Sequence, residues 1–254
     1  MWPYPRVVAH RGGGKLAPEN TLAAMRCGLE HGFHAVEFDV MLAKDGVPVL
    51  MHDPRLGRTV AGSGCIADYT ARELGAMDAG AWFDPAFAGE PVPRYEDAVL
   101  FCRAHGIWMN VEIKPVPGFE RETGEVVGAL TRHLYVEEIA AVRAGGSLAL
   151  LPLFSSFSFD AVAAARDAAP ELPRGLLMDA IGADWRERLD ALGAVALHTN
   201  HKHLSNAQAR AVKQAGFGLF CYTVNDAERA RELLRWGVDG FCTDRIDAIG
   251  PRFS

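Results

Sequence analysis

Three carboxylates on two apolar segments are the residues best placed to do chemistry. Glu37 and Asp39 lie two residues apart in AVEFDV, and Glu112 lies in the later segment IWMNVEI. Residues two apart on a strand share one face, so neighbouring strands would bring the three carboxylates together. Buried carboxylates repel one another unless a cation neutralises them or they take up protons. The spacing predicts an all-oxygen site for a hard divalent cation, Mg²⁺ or Ca²⁺.

A second interpretation of the Glu37-x-Asp39 pattern needs no metal. Either carboxylate could pair with an arginine or a lysine at a solvated strand end, and an isolated pattern of this kind favours that interpretation. The metal hypothesis therefore depends on Glu112 joining the pair.

Two histidines also occupy positions suited to proton transfer. His10 ends the apolar segment RVVAH and precedes Arg11 and the glycines 12–14, whose N–H groups could bind phosphate oxygens together with the guanidinium. His52 begins the sequence HDP. Two histidines around one phosphate would form an acid and base pair, each contributing about 10²–10⁴ in rate. Taken alone, each histidine is more often an ordinary hydrogen-bonded side chain, so the prediction depends on their joint placement.

Short apolar segments rich in β-branched residues recur along the chain, most of them followed by a helical pattern. The alternation predicts an α/β fold built from βα units, and eight such units close a TIM (β/α)8 barrel. The predicted strands are 6–10, 35–40, 107–113, 149–154, 174–178, 194–199, 218–224 and 239–243. Active sites of such barrels lie at the C-terminal ends of the strands, which is where the carboxylates and His10 fall.

The connection after the second strand is unusually long. About 50 residues precede the helix predicted to begin near Tyr95, too many for an ordinary βα loop. Asp45 and Gly46 predict a hairpin turn into a short extra strand, VPVLM, which would leave His52 and Asp53 near the barrel mouth. We expect the rest of the insertion, approximately 53–94, to form a small cap within a single 1–254 domain. Its aromatic residues could line a pocket or form the cap's own core; they are Trp82, Phe83 and Phe87.

Helix boundaries carry signals of their own. The segment TLAAMRCGLEHG predicts the first helix, capped by Asn20 or Thr21 and ended by Gly32. The segment NDAERARELLRWG predicts a helix after the seventh strand.

Composition excludes several classes of protein. The 254 residues are 49% hydrophobic and 23% charged, which is typical of a globular protein and not of a disordered one. The net charge of −6 is interspersed, so nucleic acid is not an expected partner. There is no signal-peptide pattern and no apolar stretch of membrane-spanning length, which predicts a cytoplasmic protein without stable membrane insertion. Five scattered cysteines predict neither disulfides nor zinc, and the oligomeric state cannot be predicted.

Taken in order, the motifs resemble the glycerophosphodiester phosphodiesterase family, of the cytoplasmic bacterial type, over most of the chain. Any one motif could arise by chance, but the ordered set is specific. The segments are AHRG with PENT (9–21), VEFDV (36–40), VPVLMHDPRLGRTVAGSG (47–64), AGEPVPRYEDAV (88–99), VEIK (111–114), SSF (155–157), YTVN (222–225) and DGFCTD (239–244).

The resemblance implies a TIM-type barrel with a small inserted cap. It further implies hydrolysis of glycerophosphodiesters, such as glycerophosphocholine or glycerophosphoethanolamine, to sn-glycerol 3-phosphate and an alcohol. It assigns the acid and base roles to His10 and His52, and the metal ligands are then Glu37, Asp39 and Glu112.

The resemblance also implies substrate contacts. Arg11 and Lys114 would hold phosphate oxygens, while Tyr222 stands where many members carry tryptophan and would line the glycerol or leaving-group pocket. In the expected mechanism the glycerol 2-hydroxyl attacks phosphorus and water then opens a cyclic phosphate, with direct attack by water as the alternative. A rival function is a related phospholipase-type phosphodiesterase acting on lysophospholipids, and a second rival is a binding module without turnover.

Other polar residues receive lesser roles. A nitrogen-ligand metal site at His198, His201 and His203 is one interpretation, but a solvated barrel rim fits this loop equally well, with His198 able to touch substrate. Asp244 and its neighbour Thr243 are expected to serve a local turn, with an indirect contact to the site as the lesser alternative. Glu19 is expected to fix the loop or the first helix.

Overall fold

Eight parallel strands form a closed barrel in the computed structural model, which describes residues 2–254. The parallel strands are β1 (Val7–Ala9), β2 (Ala35–Leu42), β4 (Trp108–Ile113), β5 (Leu153–Ser156), β6 (Arg174–Met178), β7 (Ala196–Asn200), β8 (Gly218–Tyr222) and β9 (Gly240–Thr243). Each pairs with the next, and β1 closes the barrel by pairing with both β2 and β9. The predicted TIM-barrel fold is confirmed.

Helices surround the barrel and follow their strands. They are α1 (Leu22–Glu30), α2 (Ala71–Leu74), α3 (Tyr95–Ala104), α4 (Glu120–Leu134), α5 (Val136–Arg143), α6 (Phe159–Ala168), α7 (Trp185–Leu192), α8 (Asn206–Gln214) and α9 (Ala227–Arg235). Within residues 2–254, none of these helices is both long enough and apolar enough to cross a membrane.

The first helix begins at one of the two residues predicted to be its N-cap. The Thr21 hydroxyl accepts a hydrogen bond from the N–H of Ala24 at 3.0 Å, so Thr21 is the N-cap. Asn20 does not cap the helix, because its side chain donates to Asp39 instead. Gly32 lies just beyond the helix with a φ of 81°, a conformation that favours glycine.

The predicted strand 149–154 begins too early. Residues Leu148–Leu150 form a 3₁₀ turn, in which the Ser147 hydroxyl accepts from the N–H of Ala149, and β5 starts only at Leu153. The apolar pattern misled because Leu148 and Leu150 are exposed rather than buried.

The segment between β2 and α3 adds an antiparallel strand, β3 (Pro48–Leu50), and a layer with its own apolar cluster. Residues from β2, β3 and the following segment share that cluster; they include Met41, Val49, Ile66, Leu74 and Val92. The ring of Phe83 contacts both Trp82 and Phe87 edge to face, and Trp82 is 42% exposed.

Aromatic rings close the barrel at the N-terminal ends of its strands. Tyr4 stacks on Trp108 at the start of β4, with ring centroids 4.8 Å apart, and Trp2 packs against both Tyr4 and Phe220. These rings pack at the end of the barrel opposite its C-terminal mouth.

Candidate active site

The three predicted carboxylates converge at the C-terminal mouth of the barrel. The parallel register of β2 and β4 sets Asp39 beside Glu112, and Glu37 projects from the same face two residues earlier. One oxygen from each of the three lies within 4.8 Å of the others. Glu37 and Asp39 are buried.

Positive charge surrounds Asp39. The Nζ of Lys114 lies 3.2 Å from its Oδ1, the Nε of Arg11 lies 3.5 Å from its Oδ2, and the Asn20 amide donates to Oδ2 at 2.9 Å. Burial alone would raise the pKa of Asp39, but these cations and the amide outweigh burial and hold the pKa at about 2. Asp39 is therefore ionised at neutral pH.

The pKa values of Glu37 and Glu112 are shifted in the direction opposite to that of Asp39. Burial, followed by the negative charge of Asp39, raises the pKa of Glu37 well above its usual range and that of Glu112 to about 7. The Oε1 of Glu112 is buried and finds no hydrogen-bond donor among residues 2–254. A cation between the three carboxylates would relieve the repulsion and occupy that oxygen, so the donor set fits a divalent cation. Within the part of the chain that the structure describes, no other group of three His, Cys, Asp or Glu side chains could hold a metal.

His10 follows β1 and is held by a carboxylate that sequence reasoning assigned to another role. Its Nδ1 lies 2.6 Å from the Oδ1 of Asp244, and its Nε2 faces the carboxylate cluster, 3.7 Å from Glu37. Asp244 was expected mainly to serve a local turn, and its contact with His10 corresponds to the lesser alternative. Its position directly after the last barrel strand was the available signal, because polar residues there face the mouth.

His52 follows β3 and has a similar partner. Its Nδ1 lies 2.7 Å from the Oδ1 of its neighbour Asp53. Burial lowers the pKa of His52, and the cations Arg11 and Lys114 lower it further, although the negative charge of Asp39 and the bond to Asp53 oppose them. His52 is therefore predominantly neutral at neutral pH.

A chain of ion pairs links the Arg11 loop to the segment after β3. Glu19 accepts from Arg11 at 2.8 Å and from two nitrogens of Arg58, at 2.7 and 2.8 Å. Arg58 also donates to Asp53, the partner of His52. The expected role of Glu19 in fixing this loop agrees with these contacts.

The backbone of the Arg11 loop is strained where it faces the site. Arg11 has a φ of 50°, and its N–H donates to the Oε2 of Glu37 at 3.1 Å. A side chain at Gly14 would lie 2.3 Å from the carbonyl oxygen of Asp244, so only glycine fits there. Such strain is characteristic of functional loops.

A cavity of about 230 Å³ lies at the centre of the site. Eight residues were predicted for the site, and Asp39 is the one that does not line this cavity. The seven lining residues are His10, Arg11, Glu37, His52, Glu112, Lys114 and Tyr222. Trp82, Phe83 and Phe87 are not among its lining residues.

The later histidines separate into two environments. His198 lies within β7, fully buried, and borders the cavity. His203 lies at the rim, where it pairs with Asp179, and His201 is half-buried there. The three do not form a group of metal ligands in the described part of the chain.

Carboxylates and paired histidines at the C-terminal mouth of an α/β barrel define a barrel enzyme. The model of the glycerophosphoryl diester phosphodiesterase family matches residues 10–248. The chain belongs to this family.

Relatives and solved structures with similar chains agree with that membership. A glycerophosphodiester phosphodiesterase of Caldanaerobacter subterraneus is 31% identical over 96% of this chain and 95% of its own. A phosphodiesterase of Oleispira antarctica, solved in complex with the product sn-glycerol-3-phosphate, is 34% identical with a TM-score of 0.84, over 97% of this chain and 95% of its own. A glycerophosphodiester phosphodiesterase of Agrobacterium tumefaciens is 30% identical with a TM-score of 0.75, over 96% of this chain and 97% of its own.

Proposed function

We propose that this protein hydrolyses glycerophosphodiesters, such as glycerophosphocholine or glycerophosphoethanolamine, to sn-glycerol 3-phosphate and the free alcohol. The observation that carries the proposal is the meeting of two histidine–aspartate pairs and three carboxylates around one small cavity. Family membership and the product bound to the Oleispira relative support the same reaction.

Glu37, Asp39 and Glu112 would hold a divalent cation, Mg²⁺ or Ca²⁺. When bound, that cation would draw the phosphate into the site and stabilise the charge that develops on its oxygens. The raised pKa values of Glu37 and Glu112 support this assignment, as does the buried Oε1 of Glu112, which accepts no hydrogen bond among residues 2–254 and lies 3.6 Å from the Nζ of Lys114.

Arg11 and Lys114 are suited to bind the remaining phosphate oxygens. The Nε of Arg11 is buried and makes no hydrogen bond among residues 2–254, although it lies 3.5 Å from the Oδ2 of Asp39. Lys114 borders the cavity with a side chain 25% exposed. Fixed cationic donors around phosphorus stabilise the transition state more than the ground state.

His10 and His52 would carry the proton transfers. Each is bonded through Nδ1 to an aspartate, and because an ionised carboxylate can only accept, Nδ1 carries a proton and Nε2 is the nitrogen that gains or loses one in the reaction. The histidine that acts as base enters the step with a lone pair on Nε2 and takes the proton of the glycerol 2-hydroxyl as that oxygen bonds to phosphorus. The histidine that acts as acid enters the step protonated on both nitrogens and gives its Nε2 proton to the oxygen of the departing alcohol as the bond from that oxygen to phosphorus breaks.

The product of that step is a cyclic phosphate, which water opens in a second step with the two histidine roles exchanged. Attack by the substrate's own hydroxyl gains from proximity, since the nucleophile is already tethered to phosphorus. Cyclic phosphate observed by phosphorus NMR would support this route. Normal turnover of a substrate that lacks the 2-hydroxyl would show direct attack by water instead.

The function is tested by incubating the protein with Mg²⁺ or Ca²⁺ and either glycerophosphocholine or lysophosphatidylcholine, and measuring glycerol 3-phosphate and choline. We expect glycerol 3-phosphate from glycerophosphocholine only, and its loss with EDTA. Turnover of lysophosphatidylcholine alone would favour the phospholipase-type function, and no turnover of either would leave a binding module.

A further inference from the structure

The cavity floor contains polar atoms that the proposed reaction does not use. His198 is 1% exposed, and neither ring nitrogen has a hydrogen-bond partner among the described residues. The buried hydroxyl of Tyr222 is also without a partner there. Both residues border the same cavity as His10 and Lys114. Unpaired buried polar atoms are costly, so their presence at a cavity wall indicates a ligand that completes them.

The imidazole of His198 is held rigidly. It packs against Phe220 with ring centroids 4.8 Å apart, and the missing side chain of Gly175 makes room for it, since a Cβ there would lie 2.9 Å from Nε2. Burial lowers the pKa of His198 to about 3, so the ring is neutral at neutral pH. A neutral imidazole offers one donor and one acceptor, which matches a hydroxyl group and offers no charge to an ionic group.

Exposure increases from this floor toward the mouth. The side chains of His10 and His52 are 17% and 28% exposed, whereas His198 is buried. The part of a glycerophosphodiester that is the same in every substrate is its glycerol, and the variable alcohol needs room to leave through the mouth. The enclosed floor is therefore suited to the glycerol.

On the basis of the proposed function, we infer that His198 binds the terminal C1 hydroxyl of the substrate's glycerol and selects substrates that carry it. The C2 hydroxyl is engaged at phosphorus as the nucleophile, which leaves the terminal hydroxyl to reach the floor. Tyr222 provides a second hydrogen-bonding group beside it. An acyl group on that oxygen removes its proton and adds bulk at the closed end, so the same contact excludes lysophospholipids.

The test compares glycerophosphocholine with 2-hydroxyethyl phosphocholine, which keeps the reacting hydroxyl and lacks only the terminal CH₂OH. We expect wild-type kcat/KM to favour glycerophosphocholine by about 10- to 100-fold, because a site built for a hydroxyl rejects its absence. In His198→Leu this preference should fall to about threefold or less, through lower activity on glycerophosphocholine alone. His198→Gln, which keeps a donor and an acceptor, should restore most of the preference.

A preference retained in His198→Leu, or an equal loss on both substrates, would overturn the inference and leave a structural role. A wild-type protein that releases no glycerol 3-phosphate would instead overturn the proposed function, so the two failures are distinguishable. If leucine at position 198 disturbs the barrel, a measurement on the wild type still tests the inference. The ¹⁵N resonances of the His198 ring should shift on adding sn-glycerol 3-phosphate but not 2-hydroxyethyl phosphate, and equal shifts with both would contradict the assignment.

Discussion

The Nδ1 of His10 lies 2.6 Å from the Oδ1 of Asp244, which joins the residue after the first barrel strand to the residue after the last. The other carboxylate oxygen of Asp244 accepts from the Asn225 amide at 2.8 Å. Burial would raise the pKa of Asp244, but the bonds from His10 and Asn225 hold it at about 2. An ionised Asp244 therefore fixes both the ring orientation of His10 and the position of its proton.

Asp244→Asn should reverse that proton arrangement. With Asn225 still donating, the new amide oxygen faces Asn225 and the NH₂ group faces Nδ1, so the His10 proton moves to Nε2, where a lone pair is needed. We expect kcat to fall by about 10²–10⁴ with little change in unfolding temperature. The control is Asp247→Asn, which changes an exposed aspartate bonded to Arg245. Near-normal kcat in Asp244→Asn would remove Asp244 from the mechanism.

Arg58→Ala tests the ion-pair chain that joins the two sides of the site. Losing Arg58 frees Asp53 and Glu19, the partners of His52 and Arg11, so both should lose their fixed orientation. We expect kcat/KM for glycerophosphocholine to fall by about tenfold or more, because a small misplacement of catalytic groups lowers the reaction rate. Arg72→Ala, an exposed arginine of α2, should behave as wild type. Equal kinetics in the two variants would show that Arg58 serves only the fold.

Glu112→Gln tests the cation site. The substitution keeps the shape of the side chain and removes one of three negative charges, so Mg²⁺ or Ca²⁺ affinity measured by calorimetry should fall by at least about tenfold. At a given cation concentration, the unfolding temperature of this variant should rise less than that of the wild type and of Glu122→Gln, a change at an exposed residue of α4. Unchanged affinity would place the cation elsewhere.

The pH dependence of cation binding follows from the same carboxyl. The raised pKa of Glu112, about 7, means that the metal-free site holds a proton below that pH, which the cation must displace. Affinity should therefore rise from pH 5 through about pH 7, with Glu37, whose pKa is also raised, adding to the rise, and protons should be released on binding at pH 6. Calorimetry in buffers of different ionisation enthalpy measures that release. The free energy of unfolding of the metal-free protein changes in the opposite direction. It falls as pH rises from the pKa of Glu112 in the unfolded chain to about 7, because the unfolded state ionises first.

The sequence predicted the barrel and the grouping of its candidate site residues because both follow from local pattern. Alternation along β2 and β4 places Glu37, Asp39 and Glu112 on inward faces, and strand order makes these strands neighbours. The contact of Asp244 with His10 could be predicted only as a lesser alternative, because the two residues are distant in the chain and barrel closure alone brings them together. The environment of His198 was equally inaccessible, since it depends on Gly175 and Phe220 from neighbouring strands.

Phosphorus NMR can follow the conversion of glycerophosphocholine with Mg²⁺ or Ca²⁺ in the wild type and in His10→Ala and His52→Ala. With the wild type, we expect the diester resonance to be replaced by that of sn-glycerol 3-phosphate, and we expect EDTA or either substitution to abolish most of this change while the variants stay folded. Undiminished turnover by the wild type in EDTA, or undiminished turnover by both variants, would refute the proposed reaction.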